Sequence, residues 1–586
     1  MIQLVSMKRA PCLIFALATA FAQVSPTTPS SVLAKRDVSS VTNQMLAKPD
    51  PADWLMWRRT LDSWGYSPLS QITRANVGNL KLVWTRGMAE GTQEATPLVH
   101  DGVMFLPNPG DLIQALDAAT GDLMWDFKRQ FPEGFRGGNA NTTRTLALSG
   151  KSIIDLSADD FVYAVDVETG KLQWETRVLD YREDSGTQSG GPIIAGGKIF
   201  STRACRFNNA SPNGCVITAH DAATGKELWR RRTIPRPGEP GDETWGNVAE
   251  KDRRHVGAWM TPSFDAELNL LYVGTSVTSP APKYMLDGND KQYLYHNSTL
   301  ALNANTGEIV WYYQHVVDHW DLDHPFERLL IDTAVAPDPS QVAWINPKLR
   351  PGERRKVLTG IPGKTGIVYT LDRATGEFLW ARPTVFQNVV SKIDGASGAV
   401  TVNPATLFTE DGQTRLVCPG TNGGKDFPAG AYSPLTNTMY YGLQNACMDV
   451  TSIANRNTAY AFNAKALIAP GTDNIGSLFA ISAETGKTLW RYDQRAGMMS
   501  SVATGGGLIF TGDAAGHFRA FDQQNGKILW DVNLGSEVSG YPVTFSVKGK
   551  QYVAVSTGSS LVSGGMNTLT GQKATKVNAV YVFALP

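Results

Sequence analysis

AlaLeuAspAlaAlaThrGlyAspLeuMetTrp, Ala115 to Trp125, is the stretch whose reading decides the fold, because the chain repeats it. A small residue, an Asp or a similar group, Thr-Gly or its equivalent, and a Trp four residues after the Gly recur in the segments that end at Trp174, Trp229, Trp311, Trp380, Trp490 and Trp530. Trp84 closes AsnLeuLysLeuValTrp without a Thr-Gly of its own. Each copy alternates apolar and polar residues, turns at Thr-Gly and resumes as a strand, the pattern of a hairpin with a Trp packing plug. A repeat at this period predicts an all-β fold, an eight-bladed β-propeller with one docking Trp per blade. Trp84 and Trp125, like Trp490 and Trp530, stand one blade length apart, whereas Trp229 to Trp311 and Trp380 to Trp490 are long enough to carry insertions. AlaValTyrValPheAlaLeuPro (Ala579 to Pro586) resembles the strand before each Thr-Gly turn. It is expected to pair with the Trp84 segment and close the ring, which removes the edges an open solenoid would expose.

The 54 basic and 54 acidic side chains cancel, and no basic stripe points to a nucleic-acid partner. Lys8 and Arg9, the apolar run Leu13 to Ala18 and AlaPheAla at Ala20 to Ala22 read as a signal peptide over residues 1–22. A loose lead-in over 23–50 and a propeller over 51–586 follow. The expected address is periplasmic, without a membrane-spanning segment. In an oxidising compartment the four cysteines beyond the signal read as two local disulfides, Cys205–Cys215 and Cys418–Cys447. The chain has no CysXxxXxxCysHis for a covalent haem.

A second mark recurs within the blades. Pro97, Pro192, Pro262 and Pro542 each begin a strand soon after a docking Trp, a place where a missing N–H costs little. The positions three residues earlier, Glu94, Ser189, Trp259 and Ser539, are expected to line one mouth of the channel. AspHisTrpAspLeuAspHisPro adds Asp321 and Asp323 before Pro325. Glu94 and Asp321 each lie ten residues past their docking Trp. Carboxylates crowded this closely call for a cation or a proton between them.

With these residues in view, the chain resembles the quinoprotein alcohol dehydrogenases, propellers that carry pyrroloquinoline quinone and a metal ion. The resemblance runs through Trp64 to Leu80, the Thr-Gly-Trp repeats and LeuThrGlyIleProGlyLysThrGlyIleValTyr (Leu358 to Tyr369). It is nearest in feel to haem-free members that act on sorbose, sorbosone or polyvinyl alcohol. The resemblance implies Trp259 as the floor under the quinone plane. It implies Glu94, Arg144, Ser189, Lys364 and Asp426 as groups around the cofactor, and Asp321 as the base that takes the substrate proton while hydride passes to the quinone. Cys418 and Cys447 match a family disulfide. Calcium is the implied metal, with a lanthanide as the alternative, and Asp321 and Asp323 are its expected ligands, the metal acting as a Lewis acid. The family's metal-binding Glu and Asn have no clear counterparts near Arg203 to Asn209 and Gly274 to Pro280. The family's adjacent cysteines are absent from the stretch that ends at Arg144. The implied partners are a small or polymeric alcohol and a separate electron acceptor such as a periplasmic cytochrome c. The competing reading is a cofactor-free propeller that serves as a protein-binding scaffold.

Overall fold

Eight sheets of four or five strands, antiparallel but for the parallel pairing of Tyr66–Ser67 with Met498–Thr504, make up the described residues, accompanied by a two-stranded and a three-stranded sheet. The computed structural model describes residues 37–135, 144–183, 186–205, 213, 215–317, 320–455, 457–573 and 575–586. The expected signal peptide lies outside them. Helix is confined to Asn43–Ala47, Ser563–Thr570 and short 3-10 turns among these residues, and no helix there is long and apolar enough to cross a membrane.

The sheet that carries the quoted stretch runs Leu98–His100, Val103–Asn108, Leu112–Asp117, Leu123–Lys128 in order. Its chemistry explains the repeat. The Asp117 carboxylate accepts the backbone N–H groups of Ala119 and Thr120 at 2.8 and 3.2 Å, which folds the turn on itself. After the turn Trp125 pairs with Ala115, and the register slips by one residue beside that pair. The same slip accompanies Trp84, Trp174, Trp229, Trp311, Trp380, Trp490 and Trp530. A bulge of this kind re-aims a side chain, and here it aims the indole out of its own sheet.

The indole lands on the turn glycine of the next sheet. Trp84 lies over Gly121, Trp125 over Gly170, Trp174 over Gly225, Trp229 over Gly307, Trp311 over Gly376 and Trp490 over Gly526. A methyl group built on Gly170 would sit 2.6 Å from the Trp125 ring. Trp125 also donates from Nε1 to the Val167 carbonyl at 3.1 Å, and Trp490 to that of Gln523 at 2.9 Å. The glycine is therefore needed for its positive φ and for the room its missing Cβ leaves. Trp530 has no Thr-Gly to meet; its ring packs edge-on against Phe583 at 5.2 Å. Phe583 belongs to Ala579–Ala584, which pairs antiparallel with Lys81–Gly87 and places Val582 opposite Trp84. This sheet is completed by Lys550–Thr557 and Val543–Val547. Sheets latched face to face in this way are the architecture of a β-propeller.

Residues 37–50 differ from the loose lead-in expected of them. Val38, Val41 and Leu46 are buried in the main core, and Val41 bridges to Gly150. The apolar side chains in an otherwise polar stretch are what dock it. In the long interval after Trp380 the inserted elements are the hairpin Val390–Ile393 with Val400–Val402 and the sheet Thr414–Val417, Ala446–Ser452, Phe462–Ile468. Both expected disulfides, Cys205–Cys215 and Cys418–Cys447, are formed.

Candidate active site

The four marker prolines each stand directly before the first strand of a sheet: Leu98–His100, Ile193–Ala195, Ser263–Asp265 and Val543–Val547. Three residues back, Glu94, Ser189 and Trp259 come together, joined by Arg144 just ahead of Ala147–Ser149. Arg144 forms an ion pair with Glu94, both side chains fully buried, and donates to the Ser189 hydroxyl. Its guanidinium lies 5.1 Å from the centre of the Trp259 ring and 5.0 Å from that of Phe427. Burial pushes the Glu94 carboxyl above its ordinary value, against the opposing pull of Arg144. Ser539 is buried too, but it does not line the cavity described next.

That cavity, of about 230 Å³, has Ser189, Trp259, Asp321, Asp323, Lys364 and Asp426 on its wall. The Lys364 ammonium is its electrostatic centre, 2.8 Å from Asp321, 3.5 Å from Asp426 and 3.9 Å from Asp323. Burial alone would lower the Lys364 ammonium; the three carboxylates outweigh it and hold the group above its ordinary value. Asp323 accepts the Trp259 indole N–H on one oxygen at 3.1 Å and the Val277 backbone N–H on the other at 2.8 Å. Asp426 accepts the N–H of Phe427 at 2.7 Å. Phe326 abuts Trp259 edge-on at 5.4 Å and an interplanar angle of 83°. The indole is thus fixed at its N–H and along its edge.

Several wall residues carry no mark in the sequence. Gln188, Ala204, His255, Thr421, Asn422, Leu561 and Val562 complete the lining. Burial drops His255 to about 3, so it stays neutral, and its Nδ1 is hydrogen-bonded to the Val277 carbonyl. Thr421 and Asn422 could have been found as the residues just before GlyGlyLysAspPhePro, and Gln188 as the neighbour of Ser189. Leu561 and Val562 belong to the Gly- and Ser-rich stretch Gly558 to Met566. It leads into the helix Ser563–Thr570, whose Ser563 and Asn567 side chains donate to the buried Glu537 carboxylate, while the Leu561 N–H donates to Glu94 at 2.9 Å.

A flat quinone that carries carboxylates fits this wall. It offers an indole, the Lys364 cation and a buried Gln188 side-chain oxygen without a hydrogen-bond partner, while Glu94 and Arg144, expected beside the cofactor, lie behind the wall, Arg144 against the indole. A metal ion held by Asp321 and Asp323 fits poorly. An ammonium already stands among the carboxylates and both Asp323 oxygens are engaged. No set of three His, Cys, Asp or Glu that could hold a metal is present among the described residues. This departs from the metal site that the resemblance implies; the cation between the crowded carboxylates here is a side chain.

Comparison with known proteins agrees with the fold. Residues 54–392 and 494–553 match the family "PQQ: Glucose/ethanol/alcohol dehydrogenase, beta-propeller domain". The dehydrogenase subunit of alcohol dehydrogenase (quinone) from Acetobacter aceti is 31% identical over 90% of this chain and 74% of its own length. The structure of quinohemoprotein alcohol dehydrogenase ADHIIG from Pseudomonas putida HK5 superposes with a TM-score of 0.82 at 28% identity, covering 94% of this chain and 83% of the other. A europium-containing methanol dehydrogenase shares the fold at a TM-score of 0.80 and 24% identity, over 92% of this chain and 99% of that one. With its match to the family running through most of the sheets and through the Trp259–Asp321 wall, the chain belongs to the quinoprotein alcohol dehydrogenases, PQQ-dependent oxidoreductases built on a β-propeller.

Proposed function

We propose that the protein oxidises an alcohol to an aldehyde or ketone at the Trp259–Lys364 cavity, with Asp321 as the base. The observation that carries this reading is the placement of Asp321 on the cavity wall with its carboxylate held 2.8 Å from the Lys364 ammonium, beside the Trp259 indole. Trp259, with Arg144, Glu94 and Ser189 behind it, would hold the quinone plane and its polar edge. Asp426 and Lys364 would flank its reactive side. Bound pyrroloquinoline quinone would supply the two-electron acceptor that takes hydride from the carbinol carbon. Asp321 takes the hydroxyl proton as the carbonyl forms, and the Lys364 ammonium, 2.8 Å away, holds its carboxylate in place until then. Leu561 and Val562 give this wall its apolar side.

On this reading the eight sheets are eight blades, and the pairing of Ala579–Ala584 with Lys81–Gly87 closes the ring. The protein works in the periplasm after export. Its electrons pass to an acceptor such as a small cytochrome c.

Dye-linked alcohol oxidation by the quinone-loaded protein tests the reading. Asp321→Asn should lower kcat by about 10²–10⁴-fold, the usual worth of a positioned base, and leave quinone absorbance on the protein intact. Full activity in that variant, or no quinone binding by the wild type, overturns it.

A further inference from the structure

We propose that the Lys364 ammonium is the resident cation of this site, standing in the charge position expected of a metal ion, so that the quinone binds and is reduced without one. The proposal rests on the quinone reading above. It starts from how firmly the side chain is held. The Lys364 N–H donates to the Asp323 carbonyl at 2.9 Å, and its own carbonyl accepts the Gly424 N–H at 2.7 Å. Gly423 lies so close that a methyl group on it would sit 2.8 Å from the Lys364 stem. The residue joins two strands, Glu353–Gly360 and Ile367–Asp372, and therefore has little backbone freedom. Its ammonium, a compact charge with three donors, reaches three carboxylates that would repel one another without it.

The carboxylates a metal would need are engaged by other donors, and the further charged ligands are missing; the Gln188 oxygen is the unpartnered neutral acceptor on the wall. Asp323 has a donor on each oxygen, and Asp426 has the Phe427 N–H. Two regions are where the family's remaining ligands are expected. In the first, the wall of the cavity is the methyl group of Ala204, and the sequence from Arg203 to Asn209 contains no carboxylate. In the second, Val277 presents an N–H rather than an acceptor. The hydroxyls of Thr275 and Thr278 donate to the carbonyls of Tyr295 and Arg254, and that of Ser276 accepts the Gly257 N–H. His255 is the one imidazole on the wall; its Nδ1 is tied to the Val277 carbonyl, so at most its Nε2 could serve a metal, too few nitrogen ligands to replace the missing carboxylate. An ammonium supplies what the quinone oxygen needs from a Lewis acid: positive charge and a hydrogen bond where electrons accumulate.

The test uses the full-length wild-type protein, stripped with a chelator and dialysed into metal-free buffer. Bound metal is read by inductively coupled plasma mass spectrometry. Quinone binding is read by quenching of tryptophan fluorescence, and turnover by dye reduction. Expected are less than about 0.1 metal ion per chain at full quinone loading, and Kd and kcat changed by less than about threefold on adding calcium or lanthanum. Lys364→Met should lose about 100-fold or more in kcat, and Lys364→Arg, which keeps the charge, should recover at least about tenfold of that. Stoichiometric metal that resists the chelator, or a gain above about threefold on adding either metal, overturns the proposal while leaving the quinone reading in place. No quinone binding with or without metal overturns that reading, and this proposal with it.

Discussion

Neutralising the buried Glu94–Arg144 pair one partner at a time, and then both, separates what the pair does for the fold from what it does for the site. Both side chains are fully shielded from water. Arg144→Met leaves Glu94 with the Leu561 N–H on one oxygen and nothing charged on the other. An uncompensated buried charge of this kind costs about 3–5 kcal/mol of unfolding free energy. Glu94→Gln strands the guanidinium instead, but the faces of Trp259 and Phe427 lie 5.1 and 5.0 Å from it and the Ser189 hydroxyl still accepts from it. Cation–π contact recovers up to about 2 kcal/mol of that penalty, so this variant should be the milder one. The double variant Glu94→Gln/Arg144→Met leaves no charge unpaired. Its cost should fall short of the sum of the single costs by about 2–3 kcal/mol. Because burial already pushes the Glu94 carboxyl up, removing Arg144 lets it take a proton more readily still. The Arg144→Met deficit should therefore shrink as pH falls, since protonation removes the charge that has lost its partner. Guanidinium titrations of the four proteins at pH 8 and pH 5 measure both effects. Additivity within about 0.5 kcal/mol, or a deficit that grows at low pH, refutes the reasoning. The double variant should also lose quinone affinity while remaining folded.

Three other perturbations follow from the same contacts. Burial lifts Asp62 to about 6, above its ordinary 3.8, so the folded chain holds a proton between those values that the unfolded chain has released. Stability contributed by that proton is lost as pH rises through 6; Asp62→Asn should add up to about 3 kcal/mol at pH 7 and flatten the pH 4–6 slope of unfolding free energy, whereas an unchanged slope counts against it. Gly526→Ala drives a methyl group to 2.5 Å from the Trp490 ring at a φ of +72°, and thermal unfolding should show a loss of about 1–3 kcal/mol with kcat little changed. Glu537→Ala releases Ser563 and Asn567 from their shared carboxylate; the KM for alcohol should rise severalfold with kcat within about twofold, and the reverse split would show that this anchor does not set the position of Leu561 and Val562 on the cavity wall.

Much of this was legible in the chain because the repeat is local. The Asp-to-Thr-Gly turn, the bulge and the Trp sit within a dozen residues of one another, and the prolines that mark strand starts pointed to Glu94, Ser189 and Trp259. Asp321, Lys364 and Asp426, expected near the cofactor, share one cavity. What stayed hidden depends on contacts between distant segments. Nothing near Trp125 says that its ring rests on Gly170 of another sheet, and nothing near Leu561 says that its N–H reaches Glu94, 467 residues away. The crowding of Asp321 and Asp323 announced a cation. Local sequence could not say that the cation is a lysine more than forty positions later, because that depends on which sheets become neighbours.

The sheet shared by Lys81–Gly87 and Ala579–Ala584 bears on how the protein is made. Every residue of the cavity wall lies before Ser563, yet the strand that carries Trp84 pairs only with Ala579–Ala584, which follows the whole wall in the chain. A chain cut short before Ala579 would carry the full complement of wall residues and still present two unpaired strand edges, with Trp530 facing no Phe583. An edge of this kind is a template for pairing with another chain. The pairing thus makes the order of one of the first strands in the sequence hostage to one of the last.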